Sequence, residues 1–230
     1  MTQISGASIV IVGASGGLGR EIAGLLADRG ARLALAGRDA GRLGALGLEG
    51  LVLEGDVTTP GVPAQWVQRV LDQHQRLDGV IYAAGAVAFG SVTEISDDVI
   101  ESLWQVNTRG WMTLLRDASP ALAASASAGG SPFAVTLSGV VAEAPTAGIA
   151  AYSAVKAALH AYGIAAGREL RRSGIRLLDA RPGHTETELS AHPLAGAAPA
   201  FPAGLSPAAV ALRIVEAVEQ DEKDLPSSSF

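Results

Sequence analysis

The sequence predicts an α/β fold, a parallel, doubly wound sheet with helices on both faces. Three observations predict it. Short, continuously apolar runs alternate with longer segments of helical spacing, the pattern of strands buried on both faces. A glycine-rich turn, Gly13-Ala-Ser-Gly-Gly-Leu-Gly19, joins the first apolar run to the first helical segment. Far downstream, Tyr152 and Lys156 stand four residues apart in a long helical pattern, which places a phenol and an ammonium on one helix face.

In order, Ile9 to Val12 reads as the first strand, and Leu18 to Arg29 as a helix with Leu18, Ile22, Leu25 and Leu26 on one face and Gly30 as its stop. Arg32 to Ala36 and Leu51 to Glu54 are the next strands. Pro63 to Gln75 is a helix with proline in its first turn, and Val80 to Ala84 a fourth strand. Ser96-Asp97 caps a helix running to about Ala118, beyond which Pro120 need not end it, and Ser125 to Ser131 is expected to be a flexible loop. Phe133 to Leu137, a helix from Ala150 to Arg172, a strand from Ile175 to Ala180, and a helix from Ser206 to Glu219 complete the pattern. No internal repeat and no second domain are visible. The stretch 184–203, rich in Ala, Pro and Gly and without a period, reads as a lid, and 226–230 as a frayed tail.

At 230 residues the chain is long enough for one domain, residues 1–230, with a sizeable core. Hydrophobic residues make up 48% and charged residues 17%, which argues against disorder. A net charge of -6 argues against nucleic acid as a partner. Without cysteine there is no disulfide, thiol nucleophile or thiolate metal site. His74, His160, His184 and His192 show no metal-ligand spacing. No run reads as a signal peptide or reaches the ~18 residues that would span a membrane, so a cytoplasmic protein is the expectation.

Strand, glycine turn and helix together suggest a dinucleotide site. Gly13, Gly17 and Gly19 allow a tight turn and close approach of a pyrophosphate, and the helix N-terminus offers free N–H groups to it. The plainer alternative is that these glycines ease helix–sheet packing. After the second strand, where an acidic residue would bind a ribose 2′-hydroxyl, stand Gly37 and then Arg38. Arg38 suits a 2′-phosphate, so NADP is expected over NAD. Asp39 either tempers that choice or caps the next short helix. A solvated loop arginine is the other reading of Arg38.

These motifs, with Asp56-Val57, Ala83-Ala-Gly85, Val106-Asn107, Tyr152-Ser-Ala-Val-Lys156 and Arg181-Pro-Gly-His-Thr-Glu-Thr187, resemble in identity and order the short-chain dehydrogenase/reductase family of the compact, single-domain type. The resemblance covers almost the whole chain. It implies a Rossmann-type fold and an NAD(P)-dependent oxidoreductase that interconverts carbonyl and alcohol on a small molecule. By resemblance the cofactor lies on Gly13, Ser15, Gly16, Gly17, Leu18 and Gly19, on Arg38, on Asp56 and Val57 (adenine), on Ala84 and Gly85, and on Pro182, Gly183, Thr185 and Thr187 (nicotinamide). Tyr152 would be the general acid/base, with Lys156 lowering its pKa and holding the ribose, and Asn107 would hold a relay water. Asn107 otherwise reads as a polar residue at a helix irregularity. A homodimer or homotetramer is also implied, and the small residues from Ala157 to Gly167 suit close helix approach.

Three departures stand out. The family's catalytic serine lies thirteen residues before the tyrosine, where this chain has Gly139, with Ser138 beside it. A one-residue shift on a strand reverses the face, so either a local adjustment re-aims Ser138 or the carbonyl-polarising hydroxyl is missing. The second case leaves open a different class of protein, a dinucleotide-binding sensor or scaffold with little turnover. Tyr82-Ala83 replaces an asparagine pair, for which a structural cost is expected. The segments after Arg38 and Thr187 are short, which predicts an open site or one completed by a partner. His184, inside the nicotinamide loop, is placed to line the site.

Overall fold

The computed structural model describes residues 1–230. Seven parallel strands form one sheet: β1 (Ser8–Val12), β2 (Arg32–Gly37), β3 (Leu51–Glu54), β4 (Gly79–Tyr82), β5 (Phe133–Leu137), β6 (Arg176–Ala180) and β7 (Asp224–Leu225), in the order β3-β2-β1-β4-β5-β6-β7. The chain leaves β1 toward one sheet edge and returns at β4 to build toward the other. The loops after β1 and β4 therefore part at the carboxyl ends of the strands, where open α/β sheets have their crevice. The helices are α1 (Gly17–Asp28), α2 (Ala40–Gly44), α3 (Val62–His74), α4 (Asp97–Trp104), α5 (Gly110–Ser127), α6 (Ala150–Leu170) and α7 (Pro207–Glu219).

Alternation along each strand divides the core. Ile9 and Ile11 of β1 face α1 and α7, packing with Ile22, Leu26, Ile214 and Val215. Val10 and Val12 face the other side, with Trp66, Trp111 and Leu159 from α3, α5 and α6. Each such side chain, fully withdrawn from water, is worth ~1.5–3 kcal/mol.

The structure differs from the sequence expectation in three places. A π-helical turn, Gln105–Arg109, interrupts the expected single helix between α4 and α5. Then α5 runs through Pro120, which lies on the solvent side where the freed carbonyl can meet water, as far as Ser127. Ser125, expected in a flexible loop, is buried and hydrogen-bonds Asp78. Asp78 also takes Arg76 and the backbone N–H of Ser8, so the helix is extended to satisfy a buried carboxylate. Finally, the tail is not frayed. Asp224–Leu225 adds the seventh strand beside β6, Ser227 N and Oγ donate to Glu143, and Phe230 packs on the core.

Candidate active site

The carboxyl ends of β1, β4, β5 and β6 gather the expected residues at one end of the sheet. Gly16 caps α1 without a side chain, leaving the N–H groups of the first turn uncovered. The turn is compact because its glycines cannot be anything else. A Cβ on Gly13 would lie 2.7 Å from Ala84 N, and one on Gly19 would collide with Gly13 O. A Cβ on Gly17 would lie 2.6 Å from Thr187 Cγ2, so the loop carrying Pro182, Gly183, Thr185 and Thr187 lies directly over the glycine turn, and Ser15, Gly16 and Leu18 complete that turn. On the other side of the crevice, Gly55 N donates to Gly37 O at 2.9 Å, which sets Asp56 and Val57 beside Arg38. Asp56 Oδ1 accepts from Thr58 N and Oγ1 at 2.8 and 2.7 Å. Arg38 is exposed and pairs with no carboxylate, while Asp39 Oδ1 accepts from Arg42 N at 3.0 Å and so caps α2.

Tyr152 and Lys156 share one face of α6. Lys156 is 5% exposed and donates from Nζ to Leu137 O at 2.7 Å, at the end of β5. Asn107 lies in the π turn, fully buried, and donates from Nδ2 to Ala86 O and Leu103 O, each at 2.9 Å. Its Oδ1 would lie 3.3 Å, and Lys156 Nζ 3.8 Å, from a Cβ on Gly85. Asn107, Lys156 and Gly85 therefore meet, and the helix irregularity and the site are one feature. The asparagine pair replaced by Tyr82-Ala83 is compensated. Tyr82 OH donates to Val106 O at 2.5 Å in the π turn, in the space left by the missing side chain of Gly110.

Two expectations are corrected. Ser138 does not enter the site: it is fully buried, and its Oγ donates to Asp179 Oδ2 at 2.7 Å. Its side chain follows that of Thr136, two residues back on the same face, which bonds the same carboxylate at 2.9 Å. Gly139, at the family's serine position, has φ 75° and ψ 165°, a backbone region essentially reserved for glycine. The second correction concerns Tyr152. The sequence argument has Lys156 lowering its pKa, yet burial of the phenol prevails and pushes it up. Lys156 Nζ lies 5.6 Å from the ring centroid and is committed to Leu137 O. Lys156 itself is pulled down to about 8, by burial against the opposing charge of Asp179.

The expected lid is not open. Leu194 N donates to Val87 O at 2.8 Å and Phe89 N to Ala195 O at 2.9 Å, which clips it to the segment after β4. Ala195 joins Ile95, Val99, Ala151 and Tyr152 in packing on an apolar cluster of Ala88, Leu103 and Val155. His184 belongs to the lid's frame, stacked on Phe201 with centroids 4.4 Å apart.

Sequence reasoning missed Asp179 and His160. Asp179 Oδ2 takes His160 Nδ1 at 2.6 Å and Arg181 at 3.3 Å, and Arg181 in turn binds Glu143 and Asp224. The signal was present, since a carboxylate among the apolar Leu177, Leu178 and Ala180 of β6 must find partners.

The chain belongs to the short-chain dehydrogenase family, whose model matches residues 7–195. It is an oxidoreductase of that class. An uncharacterized oxidoreductase of Staphylococcus epidermidis is 28% identical over 194 residues, 83% of each chain. A short-chain dehydrogenase from Sphingobium yanoikuyae, solved with NADPH, superposes with a TM-score of 0.82 at 27% identity, covering 96% of this chain and 87% of that one. A short-chain dehydrogenase/reductase from Burkholderia phymatum, solved with NAD, shares the fold with a TM-score of 0.85 at 21% identity, covering 99% and 90%. No helix is long and apolar enough to cross a membrane.

Proposed function

We propose that the protein is an NADP(H)-dependent oxidoreductase that interconverts a carbonyl and an alcohol on a small, largely apolar molecule. The observation that carries this is the meeting of Lys156 and Asn107 at Gly85, with Tyr152 on the same face of α6 as Lys156, beside the crowded glycine turn. The residues fit a dinucleotide: uncapped N–H groups at α1 for the pyrophosphate, Asp56 and Val57 for the adenine, Lys156 for ribose hydroxyls, and Pro182, Gly183, Thr185 and Thr187 for the nicotinamide. A nicotinamide held there supplies or accepts hydride at the substrate carbon.

Burial keeps the Tyr152 phenol protonated at neutral pH, so Tyr152 can donate a proton to the substrate oxygen as the carbonyl is reduced. Lys156 and Asn107 pass the replacement proton from solvent back to Tyr152 and hold the cofactor side in register. Arg38, exposed and without a carboxylate partner, supports NADP, as does the NADPH found in the Sphingobium relative. Ala195 of the lid and Tyr152 pack on one apolar cluster with Ile95, Val99 and Ala151, which favours a substrate without charge near its carbonyl. The exposed stripe Ala161, Ile164 and Ala165 on α6 suits a homodimer or homotetramer.

NADPH consumption against a panel of small ketones and aldehydes, with Tyr152→Phe as control, tests the reading. Equal turnover in the two proteins refutes it. One observation favours a second reading, a dinucleotide-binding sensor or scaffold with little turnover: Ser138 is turned onto Asp179, so no serine hydroxyl faces Tyr152. Tight NADPH binding without turnover on any substrate would select it.

A further inference from the structure

Asp179 is a carboxylate buried on β6, on the face covered by α6. Five donors reach it. Oδ1 accepts from Thr136 Oγ1 at 2.9 Å and Ser138 N at 3.3 Å, and Oδ2 from Ser138 Oγ at 2.7 Å, His160 Nδ1 at 2.6 Å and Arg181 at 3.3 Å. His160 stands one turn beyond Lys156, so Tyr152, Lys156 and His160 follow at i, i+4 and i+8 along one face of α6. Lys156 docks on Leu137 O, one residue before the serine that binds Asp179. The lysine and the carboxylate are therefore fixed to the same strand end from two sides.

We propose that Asp179 is a positioning residue that holds Lys156 in its ammonium form, and that His160, on the same carboxylate, sets how much of that charge Lys156 feels. The inference rests on the reading of Tyr152 and Lys156 as the reacting pair. Several ionisable groups surround the lysine. Tyr152 and His160 face it from α6. Asp179 faces it from β6, with Arg181 behind, and Arg181 is taken up by Glu143 after β5 and Asp224 of β7. Of these, Asp179 is the carboxylate tied to Ser138, next to the Leu137 carbonyl on which Lys156 docks, and its charge opposes the desolvation that strips the proton. Without it a lysine this buried loses its proton more easily. His160 is solvent-reachable, since a cavity of about 50 Å³ lined by Thr136, His160, Asp179, Lys223 and Asp224 opens beside it. A carboxylate only accepts, so Nδ1 carries the proton toward Asp179, and protonation of the other ring nitrogen would place a cation on the same carboxylate.

The chain has two lysines, Lys156 and Lys223, so the full-length protein labelled with ¹³C at lysine Cε gives two resonances, assigned with Lys223→Arg. In Asp179→Asn the Lys156 midpoint should fall by about one pH unit, a tenfold loss of proton affinity. His160→Arg keeps Asp179 as an acceptor but sets a permanent cation on it. This variant should move the midpoint the same way by a smaller amount, and it serves if Asp179→Asn does not fold. His160→Gln keeps a neutral donor and should leave the midpoint in place.

The sign for activity follows. Lys156 works as an ammonium, so kcat/KM is retained below its midpoint and lost as pH rises through it. The alkaline limb therefore moves to lower pH in Asp179→Asn. An unmoved lysine midpoint in folded Asp179→Asn or His160→Arg overturns the proposal. So does a shift as large in His160→Gln as in His160→Arg, which would mean packing and not charge. Because the lysine itself is observed, a protein without turnover still answers the question. A protein with turnover and an unmoved midpoint defeats this inference alone.

Discussion

Gly13 and Gly139 both follow a strand at the same carboxyl end of the sheet, and both have positive φ, 80° and 75°. They are glycines for different reasons. At Gly13 space and conformation both exclude a side chain, since a Cβ would press on the backbone of Ala83 and Ala84. At Gly139 there is room, with Pro182 O the nearest neighbour at 3.8 Å, and only the backbone conformation excludes one. The crowded glycine marks two loops that must touch to make the crevice. The uncrowded one marks a chain path that turns Ser138 inward to Asp179 and leaves the substrate side without its hydroxyl. The cofactor half of the site is thus built by contact, and the carbonyl half is thinned by a turn, so that the chemistry rests on Tyr152.

If that contrast holds, the largest effect belongs to Tyr152→Phe. Turnover should fall by about 10²–10⁴-fold while NADPH binding, read by fluorescence titration, persists. A loss of binding in parallel would mean that the two halves are not separable. Gly13→Ala should cost roughly 3 kcal/mol in urea unfolding, from strain and overpacking together, and a cost near zero would remove the crowding argument. Gly139→Ser should cost about 1–3 kcal/mol from backbone strain alone, without gain in rate. A tenfold gain would show that the turn can yield and a serine can serve there.

Ser138→Ala should lower stability by ~1–2 kcal/mol, because Asp179 loses a donor, and should change kcat only a few-fold. A drop of about 10²-fold or more would return Ser138 to the carbonyl as an oxyanion donor. The smallest effect is expected at Arg38→Ala, about tenfold weaker NADPH binding with NADH unchanged. An equal change for both cofactors would mean that Arg38 does not read the 2′-phosphate.

Much of this was legible in the chain before any coordinates. The buried strands showed as apolar runs because a sheet covered on both faces leaves no polar alternation to read. Leu51–Glu54 and Phe133–Leu137 match their expected bounds. Asp39 capping α2 and Ser206 capping α7 at Ala209 N were equally local. The two residues of β7 were too short to carry a pattern and exist because β6 offers an edge. Ser125 depends on a carboxylate 47 positions away.

The sequence by itself determined the order of strands and helices, the glycine turn and the spacing of Tyr152 and Lys156, because these depend on neighbours within a turn or a strand. Tertiary structure alone decided where Ser138 points, that Lys156 docks on Leu137 O, and that burial governs the phenol of Tyr152. Each of these depends on which distant group arrives to satisfy a polar atom once water has been removed, and here that group is Asp179, 41 residues beyond Ser138.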